Sequence, residues 1–179
     1  RRSHERLSLH TARADAMATE PAAEPTASAL TDVRSVAIAI LCAPQLRPER
    51  GALLRRTLKR ACEQDLPAGV ALTEVLVLDD GPHAHAAAHI AAALPNGAPR
   101  CVRLRHVSVP PDASGRVSMR LKRNVALLLA SADALCFFDD DDWRARDSVA
   151  TQLAVLGDAD VCTLQVQHVC ELDASRRAA

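Results

Sequence analysis

Four consecutive aspartates, Asp139 to Asp142, follow the short apolar run ALCFF. Like charges about 4 Å apart repel by roughly 1 kcal/mol in water and by about 4 kcal/mol at an effective dielectric constant of about 20. A chain tolerates this repulsion where the carboxylates are solvated or where a cation lies among them. A second acidic pair, Asp79 and Asp80, follows the apolar run VLVL. Carboxylates in such positions can bind Mg²⁺ or Mn²⁺, whose remaining ligands are water and substrate phosphates.

The spacing of the four aspartates predicts which of them act together. In an extended chain alternate side chains point to the same side, so Asp139 and Asp141 are expected on one side and Asp140 and Asp142 on the other. A cation bound by one pair would hold a diphosphate and neutralise the charge that develops on a leaving phosphate. The alternative is a solvated acidic loop that happens to follow a strand.

Other acidic motifs do not fit this segment. An EF-hand loop starting at Asp139 requires Gly and Glu where Arg144 and Ala150 stand. A strand-terminal phosphatase motif requires Thr or Val at Trp143, and a helical diphosphate motif requires Asp there. None of these three motifs fits.

Basic and histidine residues nearby offer further chemistry. The segment MRLKRN supplies Arg120, Lys122 and Arg123, which could bind the same diphosphate or could form a solvated helix face. His85 and His89 are four residues apart and could ligate a metal on one helix face. No acid or cysteine accompanies them, so a plain exposed face is the preferred interpretation.

The elements that would position these residues alternate in type along the chain. Apolar runs and period-2 alternation predict strands at 35–42, 72–81, 101–109, 134–139 and 159–169. Helical spacing of apolar residues predicts helices at 50–64, 83–97, 116–133 and near 147–156. This order predicts an α/β fold with three layers, in which helices cover both faces of a mostly parallel sheet. Ligands of such sheets bind at the carboxyl ends of the strands, where both acidic pairs are expected.

Composition limits the possible functions. The chain of 179 residues carries 22 basic and 22 acidic residues, so no overall positive field recruits nucleic acid or an anionic membrane. Three aromatic residues among 179 disfavour binding of single strands by stacking. The six cysteines form no CxxC pair, which argues against structural zinc. A reducing compartment suits free cysteines; cytoplasmic and Golgi-associated locations both stay open.

The segments VLVLDDG, KRN, ALCFFDDDDW and DSVATQLAVLGDADVCTLQ occur in the order seen in family 2 glycosyltransferases of the GT-A fold, which this chain resembles. The resemblance covers roughly Ser35 to Glu171 and implies a nucleotide-sugar-binding domain at 35–173, preceded by a disordered or loosely ordered tail at 1–34. The activity it implies is transfer of a sugar from a nucleotide diphospho-sugar, most commonly a UDP-sugar, to a hydroxyl acceptor with inversion.

The resemblance also implies roles for the residues around the nucleotide. Asp79 and Asp80 match acids that contact the base and the ribose. Arg123, in the R-N motif, matches a basic residue near the nucleotide, and Lys122 is a possible helper.

The acids of the D-x-D motif correspond to Asp139 and Asp141. By resemblance Asp141 ligates Mn²⁺ or Mg²⁺, and Asp139 reaches the ribose or the cation. Asp140 is a secondary donor contact, as is Asp142, and Trp143 lines the sugar pocket.

The chain departs from the family at three places. Only Pro44 remains of the usual motif after the first strand, and Pro82 replaces the serine after D-D-G. The catalytic base has no clear counterpart, because Glu171 and Asp173 lack the expected context. Since the chain begins at Arg1 and ends near these acids, we expect the donor-binding part of a longer enzyme, with the acceptor half missing.

Two other functions stay open. A non-catalytic module of the same fold would bind a nucleotide or a partner without turnover. A sugar nucleotidyltransferase would require a glycine-rich basic loop after the first strand, to which CAPQLRPERG corresponds poorly.

Overall fold

The computed structural model describes residues 33–42, 50–80, 83–99, 101–110 and 117–163, and only the backbone of residues 83–85. Its strands are β1 (Ser35–Cys42), β2 (Ala71–Asp79), β3 (Arg103–Ser108) and β4 (Ala134–Asp139). Its helices are α1 (Arg50–Cys62), α2 (His83–Ala93), α3 (Met119–Leu129) and α4 (Ser148–Leu156). Strands and helices alternate in the predicted order, and the α/β class is confirmed.

The predicted boundaries differ from the observed ones mainly at helix ends. Helix α3 begins later than predicted because Ser118 is its N-cap, with the side-chain oxygen accepting a hydrogen bond from the Leu121 backbone N–H at 3.1 Å. The predicted strand at 159–169 is not seen in its described part, residues 159–163, and residues 164–169 lie outside the described residues. The predicted tail lies outside them too, except for positions 33 and 34.

The sheet is parallel throughout, with the strand order β3-β2-β1-β4. The chain moves outward from β1 to β2 and β3, and then returns so that β4 pairs with the opposite side of β1. Strand order therefore reverses between β1 and β4. In open parallel sheets such a switch point leaves a crevice at the carboxyl ends of the strands, because the connections on its two sides lead away to opposite faces.

Both faces of the sheet are covered, as the apolar strand sequences predict. Alternate β1 side chains pack against buried residues of α1 and α4, and partly buried side chains of α2 add to this cluster. The other β1 side chains pack against Ala126, Val125 and Leu129 of α3. None of the described helices is long and apolar enough to cross a membrane, the longest having 13 residues.

Two polar clusters fix neighbouring strands to each other. The Asp133 side chain accepts hydrogen bonds from the backbone N–H groups of Arg34 and Ser35, both at 2.9 Å, which ties the start of β4 to the start of β1. The buried Glu74 of β2 pairs with Arg105 of β3 at 3.0 Å. These contacts lie toward the amino ends of the strands and leave the carboxyl ends to the acidic residues.

Candidate functional site

The two acidic strand ends lie on either side of β1. Cys42, the last residue of β1, is paired in register with Asp79 of β2, and Leu41 is paired with Asp139 of β4. Two interstrand spacings separate β2 from β4, which corresponds to about 10 Å. The sequence predicted that both acidic pairs lie at the carboxyl edge, and the sheet brings them to its switch point.

A buried lysine of α3 joins β1 to the acidic end of β2. Lys122 is 1% exposed, and its Nζ lies 3.0 Å from Oδ2 of Asp80. The same ammonium donates a hydrogen bond to the Cys42 backbone carbonyl at 2.8 Å. A buried ammonium requires such partners because burial removes its hydration. Lys122 thereby fixes Asp80 at the carboxyl end of β2.

Asp79 is buried beneath this ion pair. Its carboxylate lies 3.5 Å from Nε2 of His106 on β3, and its backbone carbonyl accepts a hydrogen bond from the Val109 N–H at 2.7 Å. The Cys42 thiol donates to the Leu78 carbonyl at 3.3 Å. Burial, reinforced by the negative charge of Asp79, raises the pKa of Cys42 far above that of a free thiol, so this cysteine stays protonated and is no nucleophile.

The acids after β4 bend around an arginine at the start of α1. Nη2 of Arg50 lies 2.8 Å from Oδ1 of Asp140 and 2.8 Å from Oδ2 of Asp141. The Asp140 side chain is 1% exposed, whereas that of Asp141 is 47% exposed. The Thr57 hydroxyl donates to the Asp140 backbone carbonyl at 3.1 Å. Asp140 is thus held inside the fold, and Asp141 reaches its surface.

The predicted alternation of the four aspartates is wrong at this point. Strand β4 ends at Asp139, and the Asp142 N–H donates to the Asp139 carbonyl at 3.2 Å, which closes a turn. The extended geometry assumed for alternation therefore ends one residue into the run. Asp140 and Asp141 consequently share Arg50 in place of facing opposite sides.

Asp139 is partly buried in a region of negative charge. Burial raises its pKa above the usual value, and the charges of Asp142 and Asp141 add to the increase, while Arg123 opposes it. Asp142 is paired with Arg144 at 2.8 Å. Arg144 also opposes the increase in the pKa of Asp139, so burial is its main cause.

The remaining predicted site residues lie at the surface. Arg123 is exposed, although its charge acts on Asp139, and Trp143 is 69% exposed. Of the two neighbouring basic residues, Lys122 is the buried one, and Arg123, which the resemblance favoured, faces solvent.

The histidine pair on α2 is described only at His89. Its ring lies against Gly51 of α1, where a Cβ atom would overlap it, and its Nδ1 is 2.8 Å from a guanidinium nitrogen of Arg55. His89 therefore packs between the two helices, which differs from the plain exposed face that was expected. The His85 side chain lies outside the described part of the chain.

The carboxylates fit a divalent cation by their chemistry. Within the described ranges no group of three or more His, Cys, Asp or Glu side chains is placed to hold a metal. Mg²⁺ and Mn²⁺ commonly use one or two protein carboxylates and take other oxygens from water and phosphates. Asp139, at the end of β4, and the exposed Asp141 are suitable oxygen donors for such an ion.

Sequence reasoning missed Arg50 and His106 as members of this region. A signal for Arg50 was present: a cation in the first turn of a helix opposes the helix dipole, and α1 has no acid there. Such a residue needs a compensating anion from elsewhere. His106 gave no comparable signal, because only strand pairing brings β3 beside Asp79.

The comparison with solved structures identifies this arrangement as a glycosyltransferase-like α/β fold. Among solved structures, the chain is similar to the mannosyltransferase PcManGT from Pyrobaculum calidifontis in complex with GDP-Man and Mn²⁺, with a TM-score of 0.51 and 21% identity. The match covers 74% of this chain and 35% of that one, so the chain spans about a third of the enzyme's length. No family model and no curated protein matches the chain.

Proposed function

We propose that this chain binds a nucleotide diphospho-sugar with a divalent cation and serves the transfer of its sugar to a hydroxyl acceptor. The observation that carries the proposal is the placement of two acidic strand ends on either side of β1, at the switch point of a parallel sheet. Ligands of open α/β sheets bind there. The similar fold of a mannosyltransferase that holds GDP-Man and Mn²⁺ supports the same interpretation.

In this proposal Asp139 and Asp141 hold Mn²⁺ or Mg²⁺. The ion supplies positive charge for the diphosphate oxygens. Asp141 is available because nearly half of its side chain is exposed. Asp140 is buried against Arg50 and acts on the donor by fixing the turn that carries Asp141.

The β2 end serves the nucleoside. Asp80 contacts the ribose or the base, held in place by Lys122, while Asp79 supports it from the buried side. Arg123 lies on the exposed face of α3 and provides charge for the diphosphate. Trp143 offers an exposed ring to the sugar. Assignment to family 2 rests on the order of these motifs along the chain.

The reaction would be a displacement at the anomeric carbon. The acceptor oxygen forms a bond to that carbon as the bond to the diphosphate oxygen breaks, and the nucleoside diphosphate leaves with the electron pair. A general base takes the acceptor's proton. No described residue is assigned that role.

The test is thermal unfolding with UDP, GDP and ADP, each with and without Mn²⁺. A ligand at 100 times its dissociation constant adds about 2.7 kcal/mol of stability, which corresponds to a rise of roughly 5 to 11 °C in Tm for a protein of this size. The expected result is a Mn²⁺-dependent rise with one nucleotide. UDP is the nucleotide that the family resemblance favours, whereas the similar structure holds GDP-Man.

Two variants make the test specific. Asp141→Asn should abolish the Mn²⁺-dependent part of the rise, because it removes an oxygen charge that the ion requires. Asp158→Asn is the matched control, since it neutralises an exposed aspartate beyond α4. No shift with any nucleotide in a protein that melts cooperatively would refute the proposal. Binding without sugar transfer from the matching nucleotide sugar would instead support the non-catalytic module.

A further inference from the structure

Arg50 contacts two carboxylates with a single nitrogen. Its Nη2 lies 2.8 Å from both Asp140 and Asp141, and within the described part of the chain its Nε is buried without a hydrogen-bond partner. The strongest guanidinium–carboxylate contacts use two parallel N–H···O bonds to one carboxylate. Arg50 makes no such paired contact with Asp141, so one nitrogen is shared between two acceptors.

The two contacts of Arg50 differ in their surroundings. Asp140 is 1% exposed, so water does not reach its carboxylate to replace the arginine. Asp141 is 47% exposed, and water can solvate its carboxylate when the arginine withdraws. The contact with Asp141 is therefore the one that water can replace.

We infer that Arg50 is a built-in competitor of the divalent cation: it neutralises Asp141 in the metal-free protein and releases Asp141, but not Asp140, when the ion binds. The inference rests on the proposed metal site. Arg50 is a positioning residue, because its contacts with Asp140 and Asp141 determine whether the Asp141 carboxylate is available to the ion.

A double variant isolates this competition from the overall charge. Three carboxylates (Asp139, Asp140 and Asp141) and Arg50 carry two net negative charges in the native protein. Arg50→Gln combined with Asp140→Asn also leaves two net negative charges, on Asp139 and Asp141. It differs from the native protein in that no arginine holds Asp141, and a neutral amide replaces the buried carboxylate of Asp140.

The measurement is the dissociation constant of Mn²⁺ without nucleotide, from the electron paramagnetic resonance of free Mn²⁺ over the full chain. The double variant should bind Mn²⁺ about two- to fivefold more tightly than the native protein, the equilibrium equivalent of one exposed ion pair. Arg56→Gln, which removes an exposed arginine of the same helix, is the matched control and should change the constant by much less.

The outcomes separate this inference from the proposed function. Equal or weaker binding by the double variant, with Mn²⁺ bound by the native protein, would overturn the inference and leave the proposed metal site standing. Absence of Mn²⁺ binding in both proteins would overturn the inference, and thermal unfolding with nucleotide and Mn²⁺ would then decide the proposed function. Binding by the double variant alone would support the inference.

A second measurement uses the native protein, in which the ion pairs of Arg50 are intact. Mg²⁺ should shift the Nε–Hε nuclear magnetic resonance signal of Arg50 in the native protein, identified by its loss in Arg50→Lys. An unchanged Arg50 signal in protein saturated with Mg²⁺ would overturn the inference.

Discussion

Replacing Lys122 by methionine tests how the crevice is built. Methionine keeps most of the length of the side chain but removes the charge that pairs with Asp80 at 3.0 Å and the hydrogen bond to the Cys42 carbonyl at 2.8 Å. The lysine is 1% exposed and Asp80 is 11% exposed at its side chain, so water cannot easily replace either contact. The fold should therefore become less stable.

The magnitude follows from the burial of the pair. Removing one partner of a buried ion pair costs about 3 to 5 kcal/mol, because the other charge stays in a region of low polarity. For a protein of this size 1 kcal/mol lowers Tm by about 2 to 4 °C. Lys122→Met should thus lower Tm by roughly 6 to 20 °C, as measured by circular dichroism in metal-free buffer.

The adjacent Arg123 supplies a matched control. It follows Lys122 on α3 but faces solvent, so Arg123→Met should change the free energy of unfolding by no more than about 0.5 kcal/mol. A second control combines Lys122→Met with Asp80→Asn. Because the charge of Asp80 is then removed together with that of Lys122, the double variant should recover part of the lost stability.

The refuting result is specific. The ammonium does not hold the β2 end if Lys122→Met destabilises the protein by less than about 1 kcal/mol. The same conclusion follows if adding Asp80→Asn to Lys122→Met recovers none of the lost stability. A larger loss in Arg123→Met than in Lys122→Met would mean that α3 presents the other basic residue to the sheet.

Three further predictions concern other parts of the site. Gly51→Ala should destabilise the protein by about 1 to 3 kcal/mol, because its Cβ would overlap the His89 ring; in a His89→Ala background it should stabilise by up to about 1 kcal/mol. Asp139→Asn should raise the free energy of unfolding at pH 7 without metal, because burial and the charge of Asp142 raise the pKa of the native Asp139. Trp143→Ala should change stability by less than about 0.5 kcal/mol yet weaken binding of the nucleotide sugar more than that of the nucleoside diphosphate.

The measurements that check these three predictions are chemical unfolding and calorimetry. For Asp139, the native state retains its proton more tightly, so the destabilisation appears as pH rises through the unfolded pKa of 3.8 and is complete above the raised native pKa. The gain from Asp139→Asn should accordingly shrink as pH falls toward 4, and a constant gain would contradict it. The Gly51 prediction would be contradicted if Gly51→Ala changed the free energy of unfolding equally with His89 and with Ala at position 89. The Trp143 prediction would be contradicted if Trp143→Ala weakened binding of the nucleotide sugar and of the nucleoside diphosphate equally.

Strand and helix order followed from local patterns in the sequence. Runs that are mainly apolar, such as 35–42 and 134–139, indicate buried strands. The residue types alone favour burial, so this prediction does not depend on where the strand lies in the sheet. The acids that follow the apolar runs 75–78 and 134–138 were placed at strand ends by adjacency alone, and the parallel sheet then required them to share one edge. The α/β class and the position of the site needed no contact between distant residues.

The contacts within the site depend on the tertiary structure. Lys122 and Arg123 are neighbours on a helix, and only the rotation of α3 against the sheet buries one and exposes the other. Arg50 reaches Asp140 and Asp141 across about 90 residues of chain because α1 begins beside the end of β4. His106 meets Asp79 only through the pairing of β2 with β3. The sequence by itself thus determined the elements and the acids at their ends, because those depend on the residue and its neighbours. Which cation meets which acid was decided by packing, because burial and distance are properties of the assembled sheet and helices.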